Sequence, residues 1–272
     1  MKRIFILWMI AVGFAACSTT KETQLVILST NDMHAHIDDY AKVAAFVSQE
    51  QKAHPGRVVV LSGGDLFSGN PVVDHCDRPG KGYPIIDLMN RVGYRASAVG
   101  NHEFDYGLDN MVRLFKKANF PIICSNYDFR GTPLEELVKP YIVLKRKGIR
   151  IGVFALDPQL EGLVATDNYG PIKYLNPVTV ANDMVKILRG KEKCDLVICI
   201  SHLGWEDKGM GDQMMIAGSR GIDVVLGGHS HSFFKELRYV KDLDGREVPV
   251  DHEGKNAIFV GKLMLNLTQN KK

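Results

Sequence analysis

No apolar run in this 272-residue sequence reaches the ~18 residues that a membrane-spanning helix requires. Charge of one sign is also scarce. The formal net charge is only +3, and the lysines and arginines are scattered rather than clustered. That excludes a nucleic-acid polymer or an anionic membrane surface as a partner on electrostatic grounds. The five cysteines contain no Cys-x-x-Cys pair, so a zinc ribbon or redox dithiol finds no support. There is no internal repeat, no low-complexity stretch and no linker after the N-terminal region. At 45% hydrophobic and 24% charged, the composition is that of an ordinary globular chain.

What is present begins with an export pattern. Lys2 and Arg3 precede the apolar run Ile4 to Ala16, which closes on the small residues Ala15-Ala16 before Cys17. A positive start, a short apolar stretch and small residues at its end form a secretory signal. A cysteine at the cleavage point resembles that of a bacterial lipoprotein signal, whose thiol is acylated. The expectation is a signal peptide over residues 1–16, a polar tether over 17–24 and a lipid anchor on Cys17. Export would then place the protein in the periplasm or on the outer membrane. Of the other cysteines, Cys124 and Cys199 lie inside apolar runs and read as small buried hydrophobes.

Gln24 to Ser29, Arg57 to Ser62, Ala96 to Val99, Phe120 to Ser125, Asp195 to Ile200 and Ile222 to Leu226 read as buried strands. Helical stripes lie between them: Tyr40, Val43, Ala44 and Val47, then Ile85, Leu88, Met89 and Val92 behind Pro84, then Leu108, Met111, Val112 and Phe115. Asn176-Pro177 caps a further helix with Ala181, Met184, Val185 and Leu188 on one face, and Gln213 to Ser219 forms a short one. Val138 to Leu144 and Ile149 to Leu156 read as a hairpin around Lys147-Gly148. Gly69 to Gly82 reads as loop, and Tyr239 to Val250 with Ala257 to Leu267 as a late antiparallel pair. The alternation of strand and helix predicts an α/β domain over residues 25–272.

The strands share a layout in which an apolar run ends in Asp, Asn or His. Five such exits supply Asp32, His34, Asp65, Asn101, His102, His202, His229 and His231. In α/β sheets the carboxyl ends of strands are where sites assemble. Asp-x-His and His-x-His put two ligands on one side of an extended segment. Imidazoles, carboxylates and an amide oxygen suit Zn, Mn, Fe or Ni better than Ca or Mg. So many ligands exceed the needs of one ion and fit two ions about 3.5–4 Å apart with a shared carboxylate. Asp105, three residues after His102, is placed to hold that imidazole in one tautomer.

In chain order, Asp32-x-His34, Gly64-Asp65, Gly100-Asn101-His102-Glu103, Ser201-His202 and Gly228-His229-x-His231 resemble the motifs of the calcineurin-like metallophosphoesterases. The fuller forms Gly-Asp-Leu-Phe-Ser-Gly (64–69) and Gly-Asn-His-Glu-Phe-Asp-Tyr-Gly (100–107) resemble the 5'-nucleotidase branch. The resemblance implies a four-layer α-β-β-α sandwich of two mixed sheets flanked by helices. It implies that Asp32, His34 and His231 hold one divalent ion and that Asn101, His202 and His229 hold the other, with Asp65 bridging. His102, oriented by Asp105, would face the substrate phosphate, and a hydroxide between the metals would attack it. The implied activity is hydrolysis of nucleoside 5'-monophosphates. A phosphodiesterase acting on cyclic nucleotides or other esters, and a non-catalytic phosphate- or partner-binding lipoprotein, are the alternatives. The branch also implies a C-terminal domain that holds the nucleobase. The expectation is that this domain is absent before Lys272, and that either a separate polypeptide supplies it or the enzyme works with loose specificity on small or varied phosphate esters, with a weakly active truncated relative as the third reading.

His54, His75 and His252 read as histidines of polar loops with no partner pattern, and His36 as a bystander near the site. Glu103 reads as a residue that shapes its loop, and Asp157 and Asp167 as loop carboxylates. Asn126, which closes a fourth strand, is a candidate to line the cleft. Trp205 and Phe67 read as core or rim packing.

Overall fold

A computed structural model describes residues 21–206 and 209–269. The expected signal peptide, Cys17 and its lipid lie outside the described residues. Among those residues, no helix is long and apolar enough to cross a membrane.

The chain begins β1 (Lys21–Thr30), α1 (Tyr40–Ala53), β2 (Val58–Ser62), α2 (Pro71–Asp74), α3 (Tyr83–Val92) and β3 (Ala96–Ala98). A 3-10 turn over His102–Tyr106 leads into α4 (Gly107–Phe115), β4 (Ile122–Ile123), β5 (Tyr127–Asp128), β6 (Val138–Lys139), β7 (Tyr141–Arg146) and β8 (Ile149–Leu156). Then come α5 (Thr166–Tyr169), β9 (Lys173–Tyr174), α6 (Pro177–Lys186), β10 (Leu196–Ser201), α7 (Asp212–Ala217) and β11 (Val224–Gly227). The chain closes with β12 (Arg238–Lys241), β13 (Glu247–Asp251) and β14 (Gly261–Gln269).

Two six-stranded mixed sheets result, in the orders β14-β1-β2-β3-β4-β6 and β12-β13-β11-β10-β8-β7. Strand periodicity shows why they stack. Leu25 and Ile27 of β1 face Ile151, Val153, Ile198 and Ile200 across a core shared by the sheets. The alternate residues Val26 and Leu28 face the helices α1, α3 and α4, and Val197 and Cys199 of β10 pack under α6 and α7. Strands buried on both faces read as unbroken apolar runs, which is how this sequence reads. The expected four layers are therefore present.

Local chemistry fixes the ends of elements. Asn176 Oδ1 accepts the Thr179 N–H at 3.0 Å, capping α6 with Pro177 in its first turn. Lys147 and Gly148 both take positive φ in the β7–β8 hairpin, as a tight turn matching strand twist demands.

Four expectations need correcting. The late antiparallel pair is not one. Tyr239 to Val250 folds on itself as the β12–β13 hairpin of the second sheet, turning at Gly245 with φ +76°. β14 crosses to the first sheet and pairs antiparallel with β1. Strand β1 begins at Lys21, so four residues of the expected tether are strand, held by that pairing. The loop after Gly69 contains the single turn α2. The strand expected at Phe120 to Ser125 is regular only over Ile122–Ile123. There the Ser125 N–H leaves the first sheet for Ala155 O in the second, at 2.8 Å.

Candidate metal centre

Parallel strands β1, β2, β3, β10 and β11 all end at the same edge of the sandwich. Their exit loops carry the candidate residues. Five of those residues, Asp32, His34, Asp65, His229 and His231, have φ between 46° and 67°, half of the non-glycine residues with positive φ among the described residues. Such conformations cost about 1–3 kcal/mol each and persist where the surroundings over-determine them. Gly100 (φ +74°) permits a close approach, because a Cβ there would lie 2.5 Å from Asp65 Oδ1 and 2.6 Å from Glu103 Oε2.

The candidate ligands converge in two groups. In the first, His34 Nε2 lies 2.9 Å from His231 Nε2, and Asp32 Oδ1 lies 3.9 Å and 3.5 Å from these two nitrogens. In the second, His202 Nε2 lies 3.0 Å from Asp65 Oδ2, and His229 Nδ1 lies 2.9 Å from Asn101 Oδ1. The His202 and His229 rings are 5.2 Å apart. Asp32, Asp65 and His202 are fully buried, while His102 and His231 are partly open to solvent. The groups touch: His202 Nε2 is 4.0 Å from Asp32 Oδ1, and the His229 N–H donates to Asp32 Oδ2 at 3.0 Å.

The donor set fits divalent cations. His202 donates Nδ1–H to the Gly63 carbonyl at 2.7 Å, which leaves the Nε2 lone pair for the site. That nitrogen and Asp65 Oδ2 are both buried without a hydrogen-bond partner among the described residues. An imidazole lone pair and a carboxylate oxygen facing each other need a cation or a proton between them. In the metal-free protein a proton serves: burial lowers the His202 pKa, but Asp65 and then Asp32 override it and raise it well above the usual range. Burial would lift the Asp65 carboxyl, but His202 holds it below the ordinary value. Burial pushes Asp32 up to about 6 and His34 down to about 4.

A pH dependence follows. Metal binding requires Asp32 as carboxylate and the imidazoles neutral. His202, its pKa raised well above the usual range, must give up its proton first, Asp32 is ionised only above about 6, and His34 is neutral above about 4, so acid acts first through His202 and then through Asp32. The affinity of metal-free protein for zinc should fall by about tenfold per pH unit for each proton displaced, already near neutrality through His202 and more steeply once Asp32 is protonated below about 6, as a competing metal indicator would show. An affinity unchanged between neutrality and about pH 5 would contradict this.

His102 adjoins both groups: a ring nitrogen lies within 4.8 Å of ligand atoms of His34 and Asp65, and its ring is 5.1 Å from that of His34. Its Nδ1 lies 2.8 Å from Asp105 Oδ2, and this hydrogen bond raises its pKa. Ser68 Oγ–H also donates to Asp105 Oδ2. The His102 N–H donates to Asp65 Oδ1 at 2.9 Å, tying the dyad to the centre.

Glu103 shapes its loop as expected. It is fully buried and accepts the Asp65 and Leu66 N–H groups at 3.0 and 2.6 Å. Asp157 lies in the loop after β8, as expected, but not at the surface. It is fully buried, and its Oδ1 accepts the Gly100 N–H at 2.9 Å beneath the loop that carries Asn101. Asn126 does not line the cleft, because it is buried and exchanges hydrogen bonds with the Asp157 backbone. His252 is not in a polar loop, being fully buried against Asp212. Phe67 is core, and Trp205 packs edge-on against Phe234. Ser68 and Asn31, whose Nδ2 donates to Asp32 Oδ2 at 2.6 Å, escaped sequence reasoning. For Ser68, the signal was its place in the Gly64-to-Gly69 motif.

Comparison with known proteins gives the family and the fold. The calcineurin-like phosphoesterase family pattern matches residues 25–233. The chain is 31% identical over 250 residues to a 5'-nucleotidase of Vibrio cholerae, covering 81% of this chain and 44% of that one. It is 26% identical over 304 residues to a 2',3'-cyclic-nucleotide 2'-phosphodiesterase/3'-nucleotidase of Haemophilus influenzae, covering 98% and 46%. The fold superposes on a 5'-nucleotidase precursor from Thermus thermophilus with a TM-score of 0.79 and 25% identity, over 90% of this chain and 54% of that one. The chain thus spans less than half the length of the curated relatives it matches.

Proposed function

Because the chain belongs to the calcineurin-like phosphoesterase family, we propose that it is a dimetal phosphomonoesterase acting on nucleoside 5'-monophosphates. The observation that carries this reading is the meeting of three overlapping donor groups around Asp32 and Asp65, one of which includes His102 of the His102–Asp105 dyad. Asp32, His34 and His231 hold one divalent ion, Asn101, His202 and His229 the other, and Asp65 is shared. When bound, such a pair supplies an activated water and positive charge for the phosphoryl oxygens.

The chain's own residues do the rest. Asp105 keeps the His102 Nδ1 proton in place, so Nε2 is the nitrogen left to meet a phosphate oxygen. The raised pKa of His102 favours the protonated ring, which donates to the developing charge and delivers a proton to the departing 5' oxygen. Asp32 and Asp65 are closed to solvent, while His102, His229 and His231 form the open side of the centre.

A nucleotide substrate is supported by the relatives, which are named as nucleotidases. Their greater length supports a second, nucleobase-holding domain acting beside a metal domain over residues 25–272. Export and a lipid on Cys17 complete the proposal, with the periplasm or outer membrane as its place.

A phosphate-release screen tests the function. Metal-loaded protein should hydrolyse AMP faster than a 2',3'-cyclic nucleotide or a chromogenic bis-ester, and a chelator should reduce release to background until zinc or manganese is restored. Preference for the cyclic substrate would establish the phosphodiesterase reading that the Haemophilus relative favours. No release from any ester by protein holding two ions would leave a binding role.

A further inference from the structure

Strand β13 ends at Asp251, paired with Leu226 of β11. The next residue, His252, therefore lies beside Gly227, where the chain turns into Gly228 and His229. Contact is so close that a Cβ on Gly227 would lie 1.9 Å from His252 Nε2. His252 is fully buried, and its Nε2–H donates to Asp212 Oδ2 at 2.7 Å. Asp212, equally buried, accepts the Ser201 hydroxyl on its other oxygen, and its own N–H donates to Gly204 O at 2.8 Å. Ser201 directly precedes His202. One buried polar cluster thus joins the exit of β10, which carries His202, to the exit of β11, which carries His229.

Serine, aspartate and histidine in line invite comparison with a hydrolytic triad, but the order is wrong. Ser201 donates to Asp212 rather than to the imidazole, and all three are closed to solvent. His252 Nδ1 has no partner among the described residues, so the ring's one hydrogen bond is the Nε2–H donated to Asp212. Asp212 is then a buried carboxylate satisfied by two side-chain donors, one from each half of the cluster.

We propose that His252 and Asp212 are positioning residues for the metal centre. They clamp the two loops so that the His202 and His229 imidazoles stand at the spacing one ion requires. The inference rests on the metal-centre reading above. The tolerance is small, because a Cβ on Gly228 would lie 2.9 Å from His202 Nδ1 and 3.1 Å from Asp32 Oδ2. A shift of either loop by a few tenths of an ångström moves a ligand. Hydrogen-bonded partners behind metal ligands typically govern affinity by 10–100-fold.

The test measures zinc binding to metal-free protein by competition with a chromogenic chelator, with the melting temperature of the metal-free form recorded alongside. Wild type should bind two ions. His252→Ala and Asp212→Asn should bind one with near-normal affinity and the other about 10–100-fold more weakly. His252→Gln, which keeps an N–H for Asp212, should recover most of the loss. Melting temperatures that fall while both zinc affinities stay at wild-type values would reduce the pair to core packing and overturn the inference. Should His252→Ala not fold, the near-isosteric Asp212→Asn decides alone. A wild type binding fewer than two ions would overturn the metal-centre reading itself, and this inference with it.

Discussion

His102→Ala is expected to keep both ions and to lower kcat on AMP by about 10²–10⁴-fold, the range typical for loss of a positioned general acid. The expectation rests on what His102 bonds to, although its ring lies close to His34 and Asp65. His102 bonds through Nδ1 to Asp105 and through its backbone N–H to Asp65, so truncating the ring leaves the ligands' own contacts intact. Asp105→Asn should cost less in kcat and shift the pH profile instead. The raised His102 pKa depends first on Asp105. An acid with a raised pKa stays protonated to higher pH, so removing the carboxylate moves the alkaline fall of kcat to lower pH. The double variant should be scarcely slower than His102→Ala, since the two act as one unit. Metal content distinguishes this from a structural effect, because both variants should retain two ions. A His102→Ala protein as fast as wild type would remove the imidazole from the chemistry, whatever its place in the cleft.

How much of this was legible in the sequence depends on whether a feature is local. The five strand exits were readable because each joins an apolar run to polar residues within a few positions, and the sheets bring such exits to one edge. The layers were readable for the same reason, since runs such as Leu25 to Leu28 are buried on both faces. Partners distant in sequence were not. Asp157 holds Gly100 across 57 positions, and nothing around Asp157 marks it. His252 and Asp212 meet only because β13 lies parallel to β11, whereas the alternation of Tyr239 to Val250 was equally compatible with other pairings. Periodicity reports that a face is buried but does not name the neighbour. The left-handed backbone of Asp32, Asp65 and His229 was also hidden, because sequence assigns such turns to the glycines beside them.

Glu103→Ala should be the most destabilising single substitution near the centre, by about 3–5 kcal/mol, although Glu103 is assigned no chemical role. Its two carboxyl oxygens accept the N–H groups of Asp65 and Leu66, and none of the three residues is reached by solvent. Removing the side chain strands two buried donors, at about 1–3 kcal/mol each, and opens a cavity where water has little room. For a chain of this length that corresponds to a fall in melting temperature of roughly 6–20 °C. The effect should exceed ordinary cavity formation in one measurable respect. Glu103 fixes the backbone of Asp65, and Asp65 in its left-handed turn (φ +54°) faces His202. Bound metal stabilises the native state in proportion to its affinity. If Glu103 sets the Asp65 geometry, the gain in melting temperature on adding zinc should be smaller in Glu103→Ala than in wild type. Glu103→Gln, which retains one acceptor oxygen, should lie between them. Equal zinc-induced gains in all three proteins would confine Glu103 to holding a loop and free the metal centre from any dependence on it.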